Sequence, residues 1–143
     1  MSGHPLWTFA HALRGTFASR DVSELAPRLH DEIDWAIFGP IDMFPYLGAR
    51  QGNEAALESM AQIVRKFRLH KVKQEEVVLG DGTASALLRC SLNASDTSRP
   101  ISVRVGAFLR FKDGKLASLR AVIDTFDLVE QTLGRPIHLR AAV

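Results

Sequence analysis

At 143 residues, 46% of them apolar and 24% charged, the chain has the makeup of one ordinary globular domain, residues 1–143, large enough to close a core. A net charge of +2 and the lack of any apolar run near ~18 residues argue against a polyanion-binding specialist and against a membrane-spanning helix. A single cysteine, Cys90, excludes an internal disulfide, and the start Met-Ser-Gly-His-Pro carries neither the cationic nor the apolar part of a secretion signal, so a cytoplasmic location is expected.

Leu6, Phe9, Ala10, Leu13 and Phe17 recur at helical spacing and predict an amphipathic first helix. Asp21 can cap a second, short helix carrying Val22 and Leu25, which Pro27 limits. Asp31 to Phe38 alternates as a strand, with Ile33, Trp35 and Ile37 on one face and Asp34, Ala36 and Phe38 on the other. Gly39 to Gly52 holds two prolines and three glycines and reads as a loop, long enough to serve as a lid. A third helix capped by Asn53 follows, with an apolar stripe at Leu57, Met60, Ala61, Val64 and Phe67.

From there the chain reads as strands only: about His70–Leu79, a Gly-Asp-Gly turn, Thr83–Ala94, a polar loop at Ser95–Arg99, and a closing hairpin. In that hairpin Val103, Val105, Ala107, Leu109 and Phe111 alternate, Asp113-Gly114 turns, and Leu116 opens a run ending at Asp124 before a short terminal helix. Helices first and antiparallel strands after make an α+β architecture, and a strongly bent sheet would wrap the helices into a cone with a cavity inside.

The basic run Arg65, Lys66, Arg68, His70, Lys71 and Lys73 fits the C-terminal end of a helix dipole better than a nucleic-acid surface, because no stacking aromatics interleave with it. There is no HExxH, no Cys/His cluster, no phosphate-binding or dinucleotide loop and no Gly-x-Ser-x-Gly elbow, so no metal and no cofactor is expected. Asp124, delivered among apolar neighbours to a strand end, is either a general base or a structural acid that pairs with an arginine or caps the last helix. Arg104, Phe108 and Arg110 lie opposite to the cavity face, an arrangement suited to a homodimer interface.

The element order, the segment Arg50-Gln51-Gly52-Asn53-Glu54-Ala55 and the ending Ile123-Asp124-Thr125-Phe126-Asp127-Leu128 resemble the SnoaL-like branch of the nuclear transport factor 2-like superfamily. The resemblance covers about residues 5 to 135. It implies a cystatin-like, cone-shaped α+β barrel, often dimeric, on which isomerases, cyclases, epoxide hydrolases, binding proteins and transport factors are all built. Compared with ketosteroid isomerase, the tyrosine, the base and the second acid fall at about Leu13, Ala36 and Ala107, so that machinery is missing. Compared with limonene epoxide hydrolase, the water-activating acid falls on Asp124 and the arginine on Arg89. The proton-donating acid there has become Ser91.

On this reading Asp34 supplies the missing acid. Strand parity groups Leu87 with Arg89 and Ser91, and Arg120 with Val122 and Asp124. The cone interior is therefore expected to hold Asp34, Arg89, Arg120 and Asp124, with a substrate pocket formed by Leu13, Trp35, Phe38, Met60, Ser91, Ala107, Arg120 and Val122. Asp124, Arg89 and Asp34 are the catalytic candidates. The implied partner is a small apolar or amphipathic molecule, without nucleic acid or membrane. Three classes stay open: a cofactor-independent hydrolase, isomerase or cyclase; a module that binds an apolar ligand without chemistry; and a dimeric adaptor.

Overall fold

The first helix, α1 (Pro5–Ser19), starts where His4 accepts a 3.1 Å hydrogen bond on Nδ1 from the Leu6 N–H and Pro5 supplies a preset φ. It ends at Arg20, whose left-handed φ of 61° lets its N–H close on the Thr16 carbonyl. The computed structural model describes residues 3–41 and 43–133. After a 3-10 turn (Ala26–Arg28) come β1 (Leu29–Phe38), β2 (Gly48–Gln51), α2 (Asn53–Lys66), β3 (Phe67–Gly80), β4 (Thr83–Ala94), β5 (Ile101–Lys112), β6 (Lys115–Ile123) and α3 (Thr125–Leu133).

The strands form one strongly curved six-stranded sheet in the order β2-β1-β6-β5-β4-β3. Every neighbouring pair is antiparallel except β1 with β6, which run parallel. The α+β cone expected from the element order is therefore present, but its sheet is mixed rather than wholly antiparallel.

Three local expectations change, the first being that Gly52, without a side-chain hydrogen bond, occupies the cap position of α2 and Asn53 is the helix's first residue. The segment after Asp21 forms a turn and a single 3-10 turn, because Pro27 removes a donor before an α-helix can propagate. The Gly39–Gly52 segment is partly structured: Gly48–Gln51 pairs with Asp34–Ile37 as β2. Its glycines belong to the strand's two ends, where Gly48 (φ 103°) and Gly52 (φ 88°) adopt conformations that side chains disfavour. The Asp113-Gly114 turn takes positive φ at both residues, as a tight hairpin between right-twisted strands requires.

The core gathers Leu25, Leu29, Ile33, Trp35, Val64 and Leu116, each essentially inaccessible. The sheet bends where its ladders slip. Shifts interrupt β3–β4 at Leu69/Lys71 and Gln74/Glu76, and interrupt β5–β6 at Arg110/Phe111. The β5–β6 slip matters most for the site, since Phe111 pairs with Leu116 while Arg110 pairs with Ser118. Ala117 is thus one residue extra, and every side chain beyond it changes face.

Candidate functional site

Between the curved sheet and the helices lies a cavity of about 280 Å³. An apolar cavity of ~150 Å³ accommodates benzene, so this one suits roughly a fused two-ring molecule or its chain equivalent. The sheet lines it with alternate residues: Trp35 and Ile37 from β1, Ala86, Leu88, Cys90 and Leu92 from β4. Val103, Val105, Ala107 and Leu109 of β5, Leu119, Ala121 and Ile123 of β6, and Leu69, Val72, Gln74 and Val77 of β3 complete that wall. The helices add Leu6, Phe9, Leu13 and Phe17 from α1, Met60 and Ile63 from α2, and Leu128 from α3.

The void has a local cause. Ala86 pairs with Ala107, and Ala107 with Ala121, so three one-carbon side chains sit side by side across β4, β5 and β6. Larger neighbours meet above and around that row and leave space over it. Phe44 and Phe67, tilted against each other at 5.5 Å between ring centres, close one wall together with Leu47. Tyr46 packs on both rings, and burial pushes its phenol up to about 12, so it stays neutral.

Chemically the lining is sparse. Arg14 is its one charged side chain among the described residues; Gln74, the Cys90 thiol and the Trp35 indole supply the rest of its polar groups. Burial pushes the Cys90 thiol up, which keeps it protonated and unreactive at neutral pH. The Trp35 Nε1–H is buried without an acceptor. Among the described residues the cavity wall holds no carboxylate and no imidazole. Among the described residues no three His, Cys, Asp or Glu side chains cluster as a metal site would need.

Of the expected pocket residues, Leu13, Trp35, Met60 and Ala107 line the cavity. Phe38, Ser91, Arg120 and Val122 do not; they alternate with the lining residues and stand on the outer face of the sheet, with Phe38 and Val122 about half exposed. The expected grouping of acids and arginines inside the cone is corrected in the same way. Asp34 lies outside, paired with Arg120 at 2.6 Å, and that guanidinium holds its carboxyl below the usual carboxylate value. Arg89 donates to the Ser102 hydroxyl at 3.3 Å, also outside, next to its cross-strand partners Arg104 and Lys73. Arg104 in turn makes a two-point contact with Glu75, at 2.8 and 3.1 Å, which lowers the Glu75 carboxyl.

Asp124 is exposed and occupies the position just before α3, where its carbonyl accepts the Leu128 N–H at 3.0 Å. Its own N–H reaches the Arg104 carbonyl at 3.3 Å, and its charge is felt by the Arg104 guanidinium. Asp34, Arg89 and Asp124 are therefore three stations along the outer surface rather than one constellation within the cone. Sequence reasoning missed Arg14, Gln74 and Cys90 as lining groups. Arg14 was findable, since it repeats Trp7 at a seven-residue interval on the helix face that borders the core.

With the geometry in place, comparison with known proteins adds context. A family model described as a SnoaL-like domain matches residues 10–119. A solved Rhodopseudomonas palustris protein, provisionally named an isomerase, is 51% identical, with a TM-score of 0.91 over 94% of this chain and all of that one. More distant similarity, at 14% identity and a TM-score of 0.67, extends to a Mycobacterium tuberculosis epoxide hydrolase described as LEH-like, covering 91% of this chain and 87% of that one. TerC, crystallised with polyporic acid, has 15% identity and a TM-score of 0.73, covering 90% and 98% respectively. These two distant cases establish a common fold. No curated protein matched.

Proposed function

Since the chain belongs to the SnoaL-like domain family, we propose that its task is to take a small apolar molecule, of about two-ring size, into the cavity between sheet and helices. The observation that carries this reading is the composition of the lining: the thirty described residues that enclose the space offer an incoming molecule packing surface rather than an acid and a base. Acid/base chemistry needs a titratable group within hydrogen-bond reach of the reacting atom. The carboxylates Asp34 and Asp124 stand across the sheet from the cavity, so this reading assigns binding to the pocket and gives those two and Arg89 no chemical step in it.

The sole cysteine makes the test direct. Cys90 lines the cavity, so a bound ligand shields its thiol. Labelling with N-ethylmaleimide at mildly alkaline pH, followed by mass spectrometry, should slow in the presence of two-ring aromatic compounds and of medium-length chains. The same protection should persist in Asp124→Asn and Asp34→Asn. Labelling unaffected by every such compound would remove the binding reading; protection lost in Asp124→Asn would return the carboxylate to the site.

The same proposal includes a homodimer through the outer sheet face. Phe38 pairs with Val122, and Phe108 sits diagonally beside Val122 through its partner Arg120, giving a contiguous row of half-exposed apolar side chains. Apolar aromatic patches rimmed by arginine are what protein interfaces select.

A further inference from the structure

We infer that the cavity's ligand is an amphipathic monoanion, held with its apolar body inside and its acidic head at Arg14. This rests on the reading of the cavity as a ligand site. Of the described lining residues only Trp7 and Arg14 of α1 and Gln74 of β3 are exposed, so the cavity reaches solvent between those two elements. Trp7 and Arg14 lie seven residues apart, hence on one helix face, which places an aromatic wall and a cation together at the opening. The Arg14 guanidinium has no hydrogen bond or ion pair with any described residue beyond the helix's own backbone ladder. The Glu24 carboxylate lies over Gly15 and 3.9 Å from the His11 imidazole. A free guanidinium at the rim of an otherwise uncharged apolar space offers a carboxylate a two-point, charge-assisted contact. The Gln74 amide adds a neutral donor at the same rim. A neutral ligand of the same size would leave both unused.

The discriminating pair is 2-naphthoate and 2-naphthalenemethanol, which share a two-ring body and differ in the charge of the head. Affinities come from isothermal titration, with protection of Cys90 from maleimide as an independent readout of occupancy. The wild-type protein should bind the carboxylate roughly tenfold more tightly than the alcohol, a modest factor because the rim is wet. That preference should shrink when salt is raised from low to physiological strength and beyond. Arg14→Gln should abolish the preference, with the loss falling mainly on the carboxylate's affinity, and Arg14→Lys should retain most of it. Because Arg14 is exposed on a helix, both variants should melt near the wild-type temperature. Equal affinity for the two heads in the wild type, or an intact preference in Arg14→Gln, would overturn the assignment of the anionic head while leaving the cavity a ligand site. Failure of both compounds to bind or to protect Cys90 would defeat the cavity reading, and this inference with it.

Discussion

If the space above the alanine row is a true void, filling it should make the protein more stable and less able to bind. Ala107→Leu is the perturbation of choice, since Ala107 stands at the middle of the row, flanked by Ala86 and Ala121. The change adds three carbon groups, each taking up about ~30 Å³ if a liquid-water share is used as the yardstick. Together they would occupy close to a third of the 280 Å³ cavity. Burial of these groups contributes ~0.8 kcal/mol each, and freezing the leucine rotamers gives back ~0.5–1 kcal/mol, leaving a net gain of about 1.5 kcal/mol. For a chain of this length that corresponds to a rise of roughly 4–6 °C in Tm. Circular-dichroism melts and urea denaturation measure it, and naphthoate titration should show weaker binding in the same variant. A filled core behaves in the opposite way, because an inserted side chain there forces neighbours off their rotamers at a cost of ~1–3 kcal/mol. A fall in Tm by several degrees would therefore refute the cavity and everything built on it.

Leu116→Ala removes a fully buried side chain outside the cavity lining, and should destabilise by ~2–5 kcal/mol in urea denaturation while leaving the affinity of any cavity ligand within about twofold. Phe108→Asp places a charge in the middle of the exposed apolar row, so light scattering coupled to gel filtration should report the mass of one chain where the wild type gives two. The Asp34 carboxyl is held below its usual value by the hydrogen bond from Arg120, so its contribution is complete above the unfolded value of ~3.9 and is lost as pH falls through the lower folded value. Asp34→Asn should accordingly lower Tm slightly at pH 7, where that contribution is complete, and flatten the decline of Tm on acidification below about pH 4 by the same small amount. A decline as steep as the wild type's would show that the pair does not couple to folding.

The fold was legible because its signals are local. The Asp-Gly and Gly-Asp-Gly turns, the alternation on β5 and the stripe on α2 each point to one element and agree with the next. Two features escaped for reasons of range. The pairing of β2 with β1 depends on Gly48–Gln51 meeting Asp34–Ile37, and a four-residue strand between glycines carries no periodicity of its own. The parallel contact between β1 and β6 joins residues about 85 positions apart, such as Trp35 and Leu119, which no local pattern encodes.

The site was misread for a different reason on each of three strands. Leu116 is buried and even-numbered, so unbroken alternation carries Arg120, Val122 and Asp124 to the interior with it. The extra residue Ala117 reverses the count: Leu119 and Ala121 are the buried residues that follow, and Arg120 and Val122 emerge on the outside. On β4 no pattern could arbitrate, since Leu87 and Leu88 are adjacent and both apolar and either face reads as interior. On β1 the alternation was sound, with Ile33, Trp35 and Ile37 all buried, and what displaced it was the alignment of Ala36 with a catalytic position in a relative. Apolar parity and family alignment disagreed there, and the parity held because burying three large side chains outweighs any preference of one small one. On the outer face Asp34 is paired with Arg120 and Glu75 with Arg104, and among the described residues Arg14 is the one charged side chain that lines the cavity.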